Sequence, residues 1–215
     1  METRYIAIEG PLGVGKTSLA EKLGKKFKSK VVLEKYEENP FLIDFYRDMS
    51  RYAFQTQLYF LLSRYNQQQM LAQQELFLTG VISDYIIDKD RIFAYLNLNE
   101  SELVIYNKLY DVLIKNILKP DLVVLLQAGT DVLMERIAKR GRSYEMNISR
   151  HYVENLNKSY VQYFFQYKAS PMLVVNTANI DFVNSNEDFE DLCGAITEMK
   201  TGVKYYTPAH TRLKK

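Results

Sequence analysis

Near the start of the chain, residues of the right types stand at the right spacing to grip a triphosphate: Gly10-Pro11-Leu12-Gly13-Val14-Gly15-Lys16-Thr17-Ser18. Glycines open backbone angles closed to other residues, so successive N–H groups can turn inward on phosphate oxygens, and a helix beginning there adds partial positive charge. In such a loop Lys16 reaches the outer phosphates as a point charge, and the Thr17 hydroxyl ligates the magnesium that bridges them. The nucleotide-binding run is therefore Gly10, Gly13, Val14, Gly15, Lys16, Thr17 and Ser18. A glycine turn ending by chance in Lys-Thr is the competing reading. The context favours the cradle, because an apolar run, Tyr5 to Glu9, precedes the loop and a helical pattern follows it. Hydrolases, motors, switches and kinases all carry such a loop, so the rest of the chemistry must come from elsewhere.

Two carboxylates are candidates for it. Glu34 follows the apolar run Lys30-Val31-Val32-Leu33, and Asp84 follows Gly80-Val81-Ile82-Ser83. Both stand at the carboxyl ends of expected parallel strands, where open sheets place their ligands. An acid at Asp84 suits magnesium, and Glu34 fits a base for a hydroxyl acceptor. Gln57 and Arg64, seven residues apart, project from one side of a helix; they form either a hydrogen-bonding wall for a planar polar ligand or an exposed edge. Arg136, Arg140 and Arg142 surround a glycine in Arg136-Ile137-Ala138-Lys139-Arg140-Gly141-Arg142. That run reads as a lid closing over phosphates or as a basic helix terminus, and the phosphate loop in the same chain favours the lid. Together these parts imply phosphoryl transfer. A hydroxyl acceptor would use the base, a phosphate acceptor would want further arginines, and a hydrolase would need a residue to position water.

The elements that must hold these residues are expected to be five apolar strands alternating with helices. That pattern makes an α/β, three-layer fold: a five-stranded parallel sheet covered by helices on both faces. The helical stretch from Phe41 to Gln74 should break near Asp48-Met49-Ser50 and then turn Phe54, Leu58, Leu61, Leu62 and Tyr65 to the core. Gln67 to Gln69, Gln73 and Gln74 read as its solvent face, and Asp88-Lys89-Asp90-Arg91 as a charged loop. Asn99 should cap a helix running to Leu118. Residues 1–200 read as one domain and 201–215 as a basic tail without periodicity. With 28 basic and 26 acidic residues the net charge is +2, which suggests neither nucleic acid nor an anionic membrane as partner. No apolar run approaches a membrane span, so a cytoplasmic protein is expected. The single cysteine, Cys193, and two histidines leave no disulfide and no zinc constellation.

The phosphate loop, Glu34 with Glu38-Asn39-Pro40-Phe41, the segment Phe54 to Arg64, Ser83-Asp84-Tyr85, Asp90-Arg91-Ile92-Phe93-Ala94 and Arg140-Gly141-Arg142 with Glu145 occur together in one order. In this the chain resembles the deoxyribonucleoside kinase family over roughly its first 200 residues, on the side of the bacterial deoxyguanosine and deoxyadenosine kinases. The resemblance implies a P-loop kinase fold that moves the ATP γ-phosphate to a sugar 5′-hydroxyl with magnesium, usually as a homodimer. By the same resemblance Glu34 takes the hydroxyl proton, and Asp84 stands at the metal and phosphates. Gln57 pairs with the base, Arg64 and Asp90 lie near its far edge, and Phe93 stacks on it. Tyr46 and Glu145 hold the 3′-hydroxyl, Arg136, Arg140 and Arg142 are the lid arginines, and the stretch from Ile180 to Asp188 covers the ATP adenine. One departure is plain: many members carry arginine after the strand acid, where this chain has Tyr85. Bacterial deoxyguanosine kinases share that tyrosine, which points to a purine substrate, deoxyguanosine first and deoxyadenosine next. A nucleoside monophosphate kinase of thymidylate type, or a non-catalytic nucleotide-binding subunit, are the alternatives. Tyr59, Phe60, Tyr106, Leu109 and Tyr110 suggest surplus apolar surface for helix-to-helix dimerisation.

Overall fold

The computed structural model describes residues 5–74, 80–178 and 180–208, apart from the side chains of Gln74 and Asn116. Its elements are β1 (Tyr5–Glu9), α1 (Lys16–Phe27), β2 (Lys30–Val32), α2 (Leu42–Arg47), α3 (Met49–Gln74), β3 (Val81–Ser83), α4 (Lys89–Asn97), α5 (Glu100–Leu113), β4 (Leu122–Gln127), α6 (Thr130–Arg140), α7 (Arg150–Phe165), β5 (Met172–Asn176), α8 (Asn186–Glu198) and β6 (Val203–Tyr206). The strands form one parallel sheet in the order β2-β3-β1-β4-β5-β6. Short apolar strands buried on both faces are what a parallel sheet with crossover helices demands.

The two faces divide along β4 with the period of two expected of a strand. Leu122, Val124 and Leu126 pack with Leu19 and Leu23 of α1 and Leu192 and Ile196 of α8. Val123 and Leu125 turn the other way, onto Leu156, Tyr160 and Phe164 of α7. A further cluster joins α2, α3 and α5 through Phe45, Leu61, Tyr106 and Tyr110. The Asn99 side chain accepts from the Glu102 backbone N–H while Glu102 reaches back to the Asn99 N–H, a reciprocal cap that fixes where α5 begins. α5 then stops at Leu113 rather than Leu118 and passes into a 3-10 turn, Ile114–Asn116.

Further expectations are corrected. The sheet has six strands, because Val203–Tyr206 pairs parallel with β5 inside the stretch read as tail. Only one of its four side chains is buried, so it carries no apolar run to announce it. Residues 209–215 of that tail lie outside the described residues. Next, the inward face of α3 is largely polar. Ala53, Gln57, Leu61, Arg64, Gln68 and Leu71 are buried at helical spacing, Gln67 is buried beside them, and Leu62 is half exposed. Finally, Asp88 to Arg91 is not a loop: Asp88 precedes α4 with its carboxylate on the Tyr163 hydroxyl, and Lys89 and Asp90 are buried in the helix's first turn. Tyr106 and Tyr110 are also interior; the apolar surface that α5 shows to solvent is Val104, Ile105, Leu109 and Val112.

Candidate active site

β1 ends in the middle of the sheet, and the phosphate loop leaves it beside β4. Gly10 adopts φ +144°, and a Cβ there would lie 2.3 Å from the Leu126 carbonyl oxygen, so both conformation and space require glycine. Gly15, at φ +104°, turns the chain into α1. Beneath the loop the buried Glu9 carboxylate accepts from the N–H groups of Gly10 at 2.8 Å and Ile86 at 3.0 Å. Burial pushes the Glu9 carboxyl up in pKa, against the pull of Lys89 and Lys16. Lys16 folds back over the loop, donating to the carbonyls of Gly10 and Pro11 at 2.8 and 3.0 Å. Burial first, and then the Lys89 charge, lower its ammonium to about 8.

Register explains how the two carboxylates meet. Val32 pairs with Ser83, so the residues leaving β2 and β3 emerge side by side. Asp84 accepts the Glu34 backbone N–H on Oδ1 at 2.7 Å and the Thr17 hydroxyl on Oδ2 at 2.7 Å. This carboxylate and hydroxyl form a hard oxygen pair of the kind magnesium takes when phosphates and water complete its shell. Among the described residues no three His, Cys, Asp or Glu side chains form a cage for a metal.

On the other side of Glu34 the polar face of α3 builds a closed network. Arg64 donates to Glu34 Oε1 through Nε at 2.8 Å and through Nη2, and to Asp90 Oδ2 through Nη1. Gln57 donates from Nε2 to the Asp90 carbonyl at 2.9 Å and to its carboxylate, which also accepts the Tyr106 hydroxyl at 2.8 Å. Lys89 donates to Glu34 Oε2 at 2.7 Å. Burial alone would raise the Glu34 pKa, but the Arg64 and Lys89 cations more than offset it and hold the carboxyl well below the usual range. Asp90 is pushed up by burial, against the pull of Arg64 and of the hydrogen bonds from Tyr106 and Gln57.

Glu34, Gln57, Arg64 and Lys89 line a cleft, with Lys16, Thr17 and Asp84 at one end and Tyr46, Phe93 and Glu145 along its walls; Asp90 and Tyr106 are sealed behind it. Phe93 meets Tyr160 edge-on at 6.3 Å, and burial raises the pKa of the Tyr46 hydroxyl, which therefore stays protonated. The Glu145 carboxylate is 2% exposed and accepts from Arg140 and, at 3.5 Å, from Arg142, whose guanidinium also lies 3.8 Å from the Tyr36 ring centroid. Gly141, in the left-handed conformation, ends α6 between them. Arg136 stands apart from that unit. It donates to the Val14 carbonyl at 3.3 Å and to the Thr177 hydroxyl and carbonyl at 2.7 and 2.9 Å. It lines a second cleft behind the phosphate loop, which Phe182 and Asp188 also border.

Most of the residues expected from sequence converge, from Lys16, Thr17, Glu34, Tyr46 and Gln57 to Arg64, Asp84, Asp90, Phe93, Arg140, Arg142 and Glu145. Four were not singled out: Lys89, Glu9, Gln67 and Tyr106. Tyr85 points away from the cleft. It is fully buried, and its hydroxyl donates to Gln67 Oε1 at 2.7 Å while Gln67 Nε2 donates to the Leu33 carbonyl at 3.0 Å. No helix among the described residues is long and apolar enough to cross a membrane.

With this geometry in place, comparison with known proteins is direct. Residues 6–200 match a family model described as deoxynucleoside kinase. A deoxyguanosine kinase of Bacillus subtilis is 37% identical over 202 residues, covering 91% of this chain and 97% of its own length. A deoxyadenosine kinase of Dictyostelium discoideum is 37% identical over 169 residues, 76% of this chain and 67% of that protein. The solved structure of a deoxyadenosine kinase from M. mycoides with bound dATP superposes with a TM-score of 0.79 at 31% identity, covering 90% of this chain and all of that one.

Proposed function

The chain belongs to the deoxynucleoside kinase family, and from that premise we propose that it moves the γ-phosphoryl group of ATP to the 5′-hydroxyl of a purine deoxynucleoside, deoxyguanosine before deoxyadenosine, in nucleotide salvage in the cytoplasm. The observation that carries the reading is the meeting of Glu34, Asp84 and Thr17 in one cleft, so that an acceptor base and a phosphate loop face each other. The purine preference draws support from the deoxyguanosine and deoxyadenosine kinases among its relatives.

In this reading the nucleoside enters with its base against Gln57 and Asp90 and over Phe93, and its sugar 3′-hydroxyl between Tyr46 and Glu145. The 5′-oxygen bonds to the γ-phosphorus as the bond to the β–γ bridging oxygen breaks. The hydroxyl proton passes to Glu34 and ADP leaves with the bonding electrons. Glu34 is a weak base because two cations hold it ionised. Weakness is tolerable where the transition state is loose and the nucleophile loses its proton late. Lys16, Arg140 and Arg142 neutralise the transferring group. Thr17 and Asp84 would hold magnesium, which when bound offsets charge on the phosphates. The exposed apolar side chains of α5, Val104, Ile105, Leu109 and Val112, support a homodimer through that helix.

Initial rates with ATP, magnesium and each of the four common deoxynucleosides test the proposal. Deoxyguanosine should give the highest kcat/KM. Turnover of none of them would remove the class, and a pyrimidine preference would remove the purine assignment.

A further inference from the structure

Lys89 opens α4 with a side chain only 4% exposed, and lysine is almost never fully buried unless paired. Its partner is Glu34 Oε2, at 2.7 Å, while Arg64 is shared between Glu34 Oε1 and the Asp90 carboxylate. Among the described residues Lys89 is ion-paired to Glu34 alone, so it is the cation at that carboxylate that no second acid holds in place. Lys89 also borders the same cleft as Lys16, Thr17 and Asp84. Its ammonium thus stands on the acceptor base within the cleft that the phosphate loop also lines. Of the other cations that line the cleft, Arg64 is pinned between two carboxylates, and Lys16, Arg140 and Arg142 approach from the phosphate loop and from the end of α6.

We propose that Lys89 is a catalytic cation of the transfer step: as the 5′-hydroxyl takes its place on Glu34 Oε2, the ammonium moves onto oxygens of the transferring phosphoryl group, supplying a charge to it from the acceptor side. A four-carbon stem allows that swing, and an ammonium donates in several directions. The step leaves Lys89 chemically unchanged. The new oxygen–phosphorus bond forms, the bridging bond breaks, the hydroxyl proton ends on Glu34, and Lys89 contributes hydrogen bonds and charge alone. This inference rests on the proposed kinase reading of the cleft.

The test compares the wild-type protein with Lys89→Met and Lys89→Arg on whichever deoxynucleoside the wild type turns over best. Steady-state kcat and KM are measured with nucleoside affinity by calorimetry and melting by circular dichroism. Loss of one transition-state cation should lower kcat about 100-fold in the methionine variant, with nucleoside affinity changed less than about threefold, and arginine should return kcat to within about tenfold of wild type. A folded methionine variant that loses less than about tenfold in kcat overturns the proposal. So does one whose loss follows lost nucleoside binding, or an arginine variant no better than methionine. If the methionine variant does not fold, Lys89→Gln takes its place under the same limits. Absence of turnover by the wild type would be seen first, and would count against the kinase reading rather than against Lys89.

Discussion

Replacing Arg64 with Met probes the centre of the acceptor half. The guanidinium is 4% exposed and bonds two carboxylates that are themselves nearly sealed, Asp90 at 0% and Glu34 at 17%. Methionine keeps much of the volume, and the contact with the Phe60 ring now 4.9 Å from the guanidinium carbon, but leaves Asp90 with no cation and Glu34 with Lys89 alone. Removing one partner of a buried ion pair costs about 3–5 kcal/mol. At roughly 2–4 °C per kcal/mol for a chain of this size, the melting temperature at pH 7.5 should fall by roughly 6–20 °C. The pH dependence has a definite sign. In the wild type the depressed Glu34 pKa stabilises the fold above its unfolded value, and that contribution is lost as pH falls through the folded one. In the variant the two carboxylates are left under-compensated, and protonation relieves them. The deficit against wild type should therefore shrink from pH 7.5 to pH 5, and adding Asp90→Asn should recover part of it at neutral pH. Calorimetric melts across that range decide the matter. A loss below about 3 °C at pH 7.5, or a gap that widens toward acid, would refute the account of Arg64 as a charge clamp.

Glu34→Gln should lower kcat by about 10²–10⁴-fold while leaving ATP affinity by calorimetry within a few fold; retention of a tenth of the activity would instead favour an acceptor that needs no base. Tyr85→Phe strands the Gln67 carbonyl oxygen in the core and should cost about 1–3 kcal/mol in denaturant unfolding, with kcat unchanged within about twofold. A large kcat effect would put Tyr85 back into the chemistry. Because burial lowers the Lys16 ammonium to about 8, its charge in the free protein is full below that pH and lost above it. ATP affinity should weaken as pH rises from 7 to 9.5, and an affinity that strengthens over that range would contradict the placement of Lys16.

What could be read along the chain was whatever depends on local backbone pattern. The glycine loop, the strand ends bearing Glu34 and Asp84, the break before α3 and the Asn99 cap all follow from neighbours in sequence. The polar face of α3 did not, because burial of a charged or amide side chain is licensed by partners far along the chain. Arg64 goes inward only because Glu34, 30 residues before it, and Asp90, 26 after it, come to meet it. Gln67 goes inward because Tyr85 and Leu33 supply its bonds. Hydrophobic periodicity scores such residues as solvent-facing, so it chose Leu62, which is half exposed, over Arg64, which is 3% exposed. The same blindness hid α4, whose first turn reads as a charge cluster until Glu34 and Arg64 are placed against Lys89 and Asp90. β6 escaped for the opposite reason: an edge strand with three exposed side chains needs no apolar pattern, only the backbone groups of β5.

The three arginines grouped by sequence divide by what already holds them. Arg136 spends both terminal nitrogens on Val14 and Thr177, which ties the phosphate loop to the turn after β5. It bridges two walls of the second cleft. Arg140 and Arg142 share one buried carboxylate, Glu145, across the left-handed turn at Gly141. A triphosphate carries more charge than that carboxylate and offers more oxygens to guanidinium forks, so its arrival would draw both arginines from Glu145. The carboxylate would then face a sugar hydroxyl with its acceptor capacity restored. On the proposed reading a donor nucleotide would prepare the acceptor site, so nucleoside affinity by calorimetry should rise in the presence of a non-hydrolysable ATP analogue, and equal affinity with and without it would contradict this account of Glu145.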